Sequence, residues 1–301
     1  MADNIFGSSI DPSEKRRQLA ERLKTGELLQ FPGAFSPLVA SSIARAGFDG
    51  VYISGAVLSA DLALPDIGLT TLTEVSQRGK QIQHATDLPA IIDADTGFGE
   101  PMSAARTVTI MEDAGLAGLH IEDQVNPKRC GHLDHKELVD VETMVRRIGA
   151  ACSAKRDPNF MVFARTDSRA VEGLPAAIER AKAYVDAGAD GIFGEALTTL
   201  EEFEQLRAAV DVPLIANMTE FGKSELFSVQ QLSDAGMNIV LYPVTLLRLA
   251  MGAVEKGLAS LAADGHQRNV VDAMQTRQEL YELLDYESFN QFDNTVYNFK
   301  T

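Results

Sequence analysis

Short apolar runs alternate along the chain with stretches whose apolar residues recur every three or four positions, the signature of strands separated by amphipathic helices. The runs cover 28–35, 50–54, 89–93, 118–123, 160–165, 191–195, 213–217 and 238–243. Between them lie helical patterns such as SPLVASSIARA, LTEVSQRGKQIQHA, PMSAARTVTIMEDA, VETMVRRIGAACSA, LPAAIERAKAYVDA and LFSVQQLSDA. Four helix-to-strand joints share one form: Ala46-Gly47-Phe48-Asp49-Gly50, Ala114-Gly115-Leu116-Ala117-Gly118, Ala187-Gly188-Ala189-Asp190-Gly191 and Ala235-Gly236-Met237-Asn238. A glycine just past the last turn supplies the left-handed cap that stops a helix. Two further strands begin after Asp87-Leu88-Pro89 and Asp211-Val212-Pro213, where proline ends the helix.

Eight strands joined by helices predict an α/β fold of the (β/α)8 TIM-type barrel class, whose usual size is about 250 residues. An open doubly wound sheet is the competing layout, but no glycine-rich dinucleotide fingerprint follows the first strand. No linker or charge block divides the chain, so one barrel is expected over 28–263, with a polar helical lead-in at 1–27 and extra helices over 264–301. The tail carries Tyr281, Tyr286, Phe289, Phe292, Tyr297 and Phe299. That much aromatic surface docks somewhere, on its own barrel or on a neighbouring subunit.

Charge narrows the partners. Lys and Arg number 27 against 43 Asp and Glu, a net −16, which argues against nucleic acid and anionic membranes. No window approaches the roughly 18 apolar residues of a membrane span, and the first thirty residues lack an apolar leader. Two cysteines, Cys130 and Cys152, make no disulfide framework and suit a reducing compartment. A cytoplasmic protein acting on a small molecule is expected.

In a barrel the chemistry sits at the C-terminal ends of the strands. Those ends carry Ser54-Gly55, Asp93 and Asp95, Glu122 and Asp123, Arg165 and Asp167, Glu195, Asn217 and Thr219, and Tyr242. Turn formers and caps account for some of these, but not for Glu122, Arg165 and Glu195, which close very apolar strands. Asp93 and Asp95, two apart in IIDADTGFGE, can address one point if the strand bends there, and such hard oxygens suit magnesium. An Asp-rich turn is the plainer alternative. In NPKRCGHLDH, Lys128, Arg129 and His132 flank Cys130, and positive neighbours favour a thiol ready to exchange a proton. An ordinary loop cysteine is the plainer alternative, and a zinc site lacks a matching second cysteine. Cys152 is expected as a small helical filler, His84 as a helix-end residue and His120 as a satisfied barrel residue.

The chain resembles the isocitrate lyase / phosphoenolpyruvate mutase superfamily, and within it the short lyases that cleave 2-methylisocitrate. DADTGFG, IEDQ-x-x-PKRCGH, ARTD, GEA, NMTEFG and YPVT-x-x-R all occur in order, and the resemblance spans nearly the whole chain. It implies a Mg2+-dependent carbon–carbon lyase that splits 2-methylisocitrate into pyruvate and succinate in the methylcitrate cycle of propionate breakdown. It further implies a homotetramer with C-terminal helices exchanged between subunits. By position it assigns Asp93 and Asp95 to the metal, with Asp66 and Glu122 around its water shell. Substrate contacts fall on Ser54, Gly55, Ala56, Cys130, Gly131, Arg165, Glu195, Asn217, Met218, Thr219, Arg248 and Arg277. Cys130 becomes the general acid, tuned by Arg129 and His132 on a loop that closes as a lid, and Tyr52 the base. Phe193 and Leu241 stand where isocitrate lyases place bulkier residues, including a tryptophan; this sequence has none. The usual Ser-Gly-Gly reads Ser54-Gly55-Ala56 here. Isocitrate, dimethylmalate and oxaloacetate as substrates, a phosphonomutase, and an inactive binding module are the rival readings.

Overall fold

All eight predicted runs are strands: β1 Leu29–Pro32, β2 Val51–Ile53, β3 Ala90–Asp93, β4 Gly118–Glu122, β5 Met161–Thr166, β6 Gly191–Gly194, β7 Leu214–Asn217 and β8 Ile239–Tyr242. The helices are α1 Pro12–Leu23, α2 Pro37–Arg45, α3 Gly55–Asp61, α4 Leu72–His84, α5 Pro101–Asp113, α6 Val141–Ser153, α7 Ser168–Val171, α8 Leu174–Asp186, α9 Leu200–Ala209, α10 Val229–Asp234, α11 Thr245–Asp264, α12 Arg277–Leu283 and α13 Tyr286–Val296. This computed structural model describes residues 6–129 and 136–296.

The strands are parallel and neighbour one another in the order β1-β8-β7-β6-β5-β4-β3-β2. The two ends of that series meet through a bridge between Gly33 and Tyr52 and a 2.9 Å bond from the Ala34 N–H to the Tyr52 carbonyl. Strand order therefore follows chain order around a nearly closed ring. That is the (β/α)8 barrel, and the open sheet is excluded.

Alternation along each strand sorts the side chains into two cores. Phe31, Tyr52, Ile91, Phe163, Phe193, Ile215 and Leu241 fill the barrel interior. Val51, Ile53, Ile92, Leu119, Ile121, Val162 and Ile192 face the helices. Burial on both faces is why the strands read as continuous apolar runs. At the predicted joints Gly47, Gly115, Gly188 and Gly236 have φ of +80°, +85°, +102° and +79°, the left-handed stop that a Cβ would strain.

The polar lead-in closes the lower mouth. Leu19 and Leu23 of α1 join the interior core, while Arg16 donates to the carbonyls of Leu116 at 2.8 Å and Glu112 at 2.6 Å. Lys15 is buried beside it and donates to the Thr86 carbonyl at 2.5 Å. Charged side chains can be buried there because loop carbonyls accept their protons.

Beyond β8 the packing changes. No residue of α11, α12 or α13 is buried. Leu249, Met251, Val254, Leu258 and Leu261 all lie exposed along α11. The aromatic tail is partly docked on its own chain: Phe6 meets Phe289 and Phe292 edge-on at 5.7 and 5.8 Å, and Tyr281 stacks on Tyr286 at 4.8 Å. Tyr297 and Phe299 lie outside the described residues. No helix among the described residues is long and apolar enough to cross a membrane.

Candidate active site

The upper ends of the strands bring together residues far apart in sequence. Strand register sets Asp93 beside His120, Glu122 beside Arg165, Arg165 beside Phe193 and Asn217 beside Leu241. A cavity of about 90 Å³ opens above them, lined by Tyr52, Ser54, Ala56, Asp66, Asp93, Lys128, Arg165, Glu195, Asn217, Thr219 and Arg248, among others. It is well below the roughly 300 Å³ of ordinary ligand pockets, and Lys128 is among the residues lining it.

One wall is acidic. β3 ends at Asp93, and the chain turns sharply because Asp95 adopts φ +47° while its N–H donates to Asp93 Oδ1 at 2.9 Å. The bend that lets both aspartates address one point is therefore present. Gly55 N–H donates to Asp93 Oδ2 at 3.2 Å. A Cβ on Gly55 would stand 2.8 Å from that oxygen and would have to displace the carboxylate. Lys128 Nζ lies 2.5 Å from Asp66 Oδ1 and 2.8 Å from Asp95 Oδ1. Burial opposes the ammonium, but Glu122, Asp93, Asp95 and Asp66 outweigh it and raise its pKa. Burial, with the charge of Asp93, pushes Asp95 up to about 6. Burial likewise raises Glu122.

These residues fit a hard cation. Among the described residues no three His, Cys, Asp or Glu side chains already form a ligand cluster, but magnesium needs only one or two carboxylates and keeps several waters. Glu122 Oε1 is buried without a hydrogen bond, and Asp95 Oδ1 and Glu122 Oε2 meet only the ion-pair contacts of Lys128 and Arg165. Acceptors left in that state call for a cation or ordered water.

The other wall carries Arg165. Its Nε lies 3.0 Å from Asp167 Oδ2 and 3.3 Å from Glu122 Oε2, and its Nη2 lies 3.1 Å from Glu195 Oε2. Its guanidinium rests over the Phe193 ring, 5.1 Å from the centroid. Asn217 Nδ2 donates to Glu195 at 3.3 Å and leaves its buried Oδ1 without a partner. Between the walls, Tyr52 and His120 share a 2.8 Å hydrogen bond through the hydroxyl and Nε2. Burial, then the charge of Asp93, raises the Tyr52 pKa well above its usual value. Burial pulls His120 down to about 4, so the imidazole is neutral at pH 7.

Other sequence expectations are placed less centrally. Phe193 and Leu241 are buried below the cavity floor, in the interior core. Met218 is buried and accepts the Phe227 N–H at its sulfur. Arg248 reaches the cavity rim, where it pairs with Glu220 at 2.9 Å. Arg277 is not brought to the cavity by its own chain: it opens α12 and lines a separate groove with Tyr281 and Tyr286. Arg129 is exposed, and Cys130, Gly131 and His132 lie outside the described residues. Cys152 is partly buried on α6, its thiol pushed up to about 12 by burial. His84 ends α4 and His120 is fully buried in the barrel, as expected, its Nε2 bonded to the Tyr52 hydroxyl. Lys128 was missed as a site member; the signal available was the lysine beside an acidic cluster that needs a countercharge.

Residues 19–262 match the family model described as phosphoenolpyruvate phosphomutase. The chain belongs to this family. "Probable 2-methylisocitrate lyase 2" of Corynebacterium glutamicum is 61% identical over 295 residues, covering 98% of this chain and 96% of the relative. The 2-methylisocitrate lyase of Shewanella oneidensis is 47% identical, with 89% of this chain and 92% of the relative covered. A solved oxaloacetate acetylhydrolase in complex with the inhibitor 3,3-difluorooxalacetate has a TM-score of 0.90 at 32% identity, over 95% of this chain and 98% of that one. A phosphonopyruvate hydrolase solved with oxalate and Mg++ has a TM-score of 0.84 at 30% identity, over 93% and 98%.

In this member of the phosphoenolpyruvate phosphomutase family the neutral state of His120 has a measurable consequence. Its folded pKa lies below the ordinary value of 6.5, so acidification from pH 6.5 to 4 protonates the unfolded chain first and lowers stability. Asp95, raised to about 6, acts in the opposite sense over an overlapping window. The difference between wild type and His120→Gln isolates the histidine: urea titrations of metal-free protein should show wild type losing stability relative to the variant as pH falls through that window. A constant difference would mean that His120 keeps an ordinary pKa in the fold, and the opposite trend that it is charged there.

Proposed function

We propose that this enzyme cleaves 2-methylisocitrate into pyruvate and succinate in the methylcitrate cycle of propionate catabolism, with Mg2+ as its cofactor and in the cytoplasm. The observation that carries the reading is the pairing of two walls in one cavity. Carboxylates suited to a hard cation face an arginine suited to a carboxylate, at the strand ends of a chain whose relatives are named for that reaction.

Asp93 and Asp95 would hold the metal, with Asp66 and Glu122 fixing its waters. When bound, Mg2+ would polarise the hydroxyl and carboxylate of the pyruvate-forming end. Tyr52 is the candidate base. Its hydroxyl is held by neutral His120 at Nε2, and the positive charges of Arg165, Lys128 and a bound metal would oppose the burial that disfavours its ionised form. Cleavage leaves succinate as a carbanion equivalent with added negative charge, which Arg165 and Asn217 would stabilise. Cys130 then returns a proton to carbon, with Arg129 and His132 tuning its thiol. Ser54, Gly55, Ala56, Gly131, Glu195, Met218, Thr219 and Arg248 complete the substrate set. Phe193 and Leu241 act on specificity from beneath, by leaving room for the methyl; such a group is worth only about 1–3 kcal/mol, so some isocitrate cleavage is expected.

Arg277 supports an oligomer. In its own chain it points to another groove, so a substrate contact requires the copy on a neighbouring subunit. The exposed apolar face of α11 is the surface that association would bury, and 264–301 is the segment that would be exchanged in a homotetramer.

The reaction is tested by incubating protein and Mg2+ with 2-methylisocitrate, isocitrate, dimethylmalate or oxaloacetate and identifying products by NMR. Pyruvate and succinate should form from the first far faster than any product from the others, and EDTA should abolish turnover. A faster reaction on another substrate would replace the proposed one. Cys130→Ser should fold and lose all but about 1% of kcat or less, the scale of a lost general acid; wild-type rates would remove Cys130 from the mechanism. Leu258→Glu should shift the sedimentation profile from tetramer to smaller species, and an unchanged profile would place the interface elsewhere.

A further inference from the structure

Behind the arginine wall, two buried cations share one carboxylate. Asp167 is fully buried just past β5. Its Oδ2 accepts from Arg165 Nε at 3.0 Å, and its Oδ1 accepts from Lys136 Nζ at 2.7 Å. The Lys136 side chain is 1% exposed. Nothing in the sequence singled it out.

Charge counting shows what Lys136 changes. Arg165 alone faces Glu122, Asp167 and Glu195, all within 3.3 Å. Even with Glu122 protonated, Asp167 and Glu195 around one guanidinium leave surplus negative charge where an anionic substrate has to bind, and a desolvated site screens that charge poorly. The backbone keeps Asp167 in place from the other side: its N–H donates to Asp123 Oδ1 at 2.9 Å. Asp123 in turn accepts from Thr166 at 2.7 Å and Tyr184 at 2.8 Å, and lies near Arg180. The Asp167 backbone is thereby fixed beside Arg165, and the fully buried carboxylate has no water to turn to. The second cation has to come to it, and Lys136 does.

We propose that Lys136 is a positioning residue: by pairing with Asp167 it both cancels that charge and holds the carboxylate against Arg165, leaving the guanidinium able to receive a substrate carboxylate. This rests on the reading of Arg165 as the substrate's carboxylate contact.

The test compares Lys136→Gln, which keeps a donor but loses the charge, with Lys136→Arg, which keeps both; Lys136→Met replaces the first if it does not fold. With Mg2+-loaded enzyme, Lys136→Gln should raise KM about tenfold or more with kcat within about threefold, and Lys136→Arg should restore KM. The inhibition constant of succinate should rise in parallel. An unchanged KM, a loss confined to kcat, or an arginine variant as impaired as the glutamine one would overturn the proposal. If wild type cleaves none of the substrates, the reaction assignment falls separately. Calorimetric binding of succinate and oxalate to wild type and Lys136→Gln then decides the charge argument: weaker binding to the variant supports it, and equal or absent binding overturns it.

Discussion

The structure depends on one electrostatic constraint: several carboxylates are buried at the open end of an apolar barrel, and each has to meet a cation or a proton. An unpaired buried charge costs several kcal/mol even after relaxation. Asp93, Asp95, Glu122, Asp167 and Glu195 all lie within the buried layer. Lys128 answers the first group and Arg165 with Lys136 the second. Placement of the loops over the strand ends follows from these pairings as much as from hydrophobic packing.

The same constraint prepares the chemistry. Charges held by opposing partners in a dry site need little rearrangement when new charge develops. The apolar layer below holds the geometry: Phe193 carries the Arg165 guanidinium on one side and the His120 ring on another, at 5.1 and 5.0 Å. A change in that layer shifts the orientation of both groups. Lys128, set between Asp66 and Asp95, shows how strongly this acidic wall attracts positive charge.

Legibility followed distance along the chain. The strands were readable because burial on both faces produces local apolar runs, and the helix stops because a left-handed cap selects glycine at the joint itself. The turn at Asp93 and Asp95 was readable because both carboxylates sit two residues apart. Lys128 and Asp66, 62 residues apart, were not. His120 was readable as an inward barrel residue from strand alternation, but its bond to Tyr52 was not, because that depends on how two strands separated by a third are curved toward each other.

The sequence by itself determined the eight-fold strand and helix rhythm, the polar residues closing each strand and the acidic turn after β3, since each depends on near neighbours. Tertiary structure decided which cation meets which carboxylate, that Lys136 stands behind Arg165, and that Arg277 lies away from the cavity of its own chain. Those outcomes rest on barrel closure and strand register, which bring remote residues within a few ångströms, and at that range charge pairing is decided by three-dimensional distance rather than by spacing along the chain.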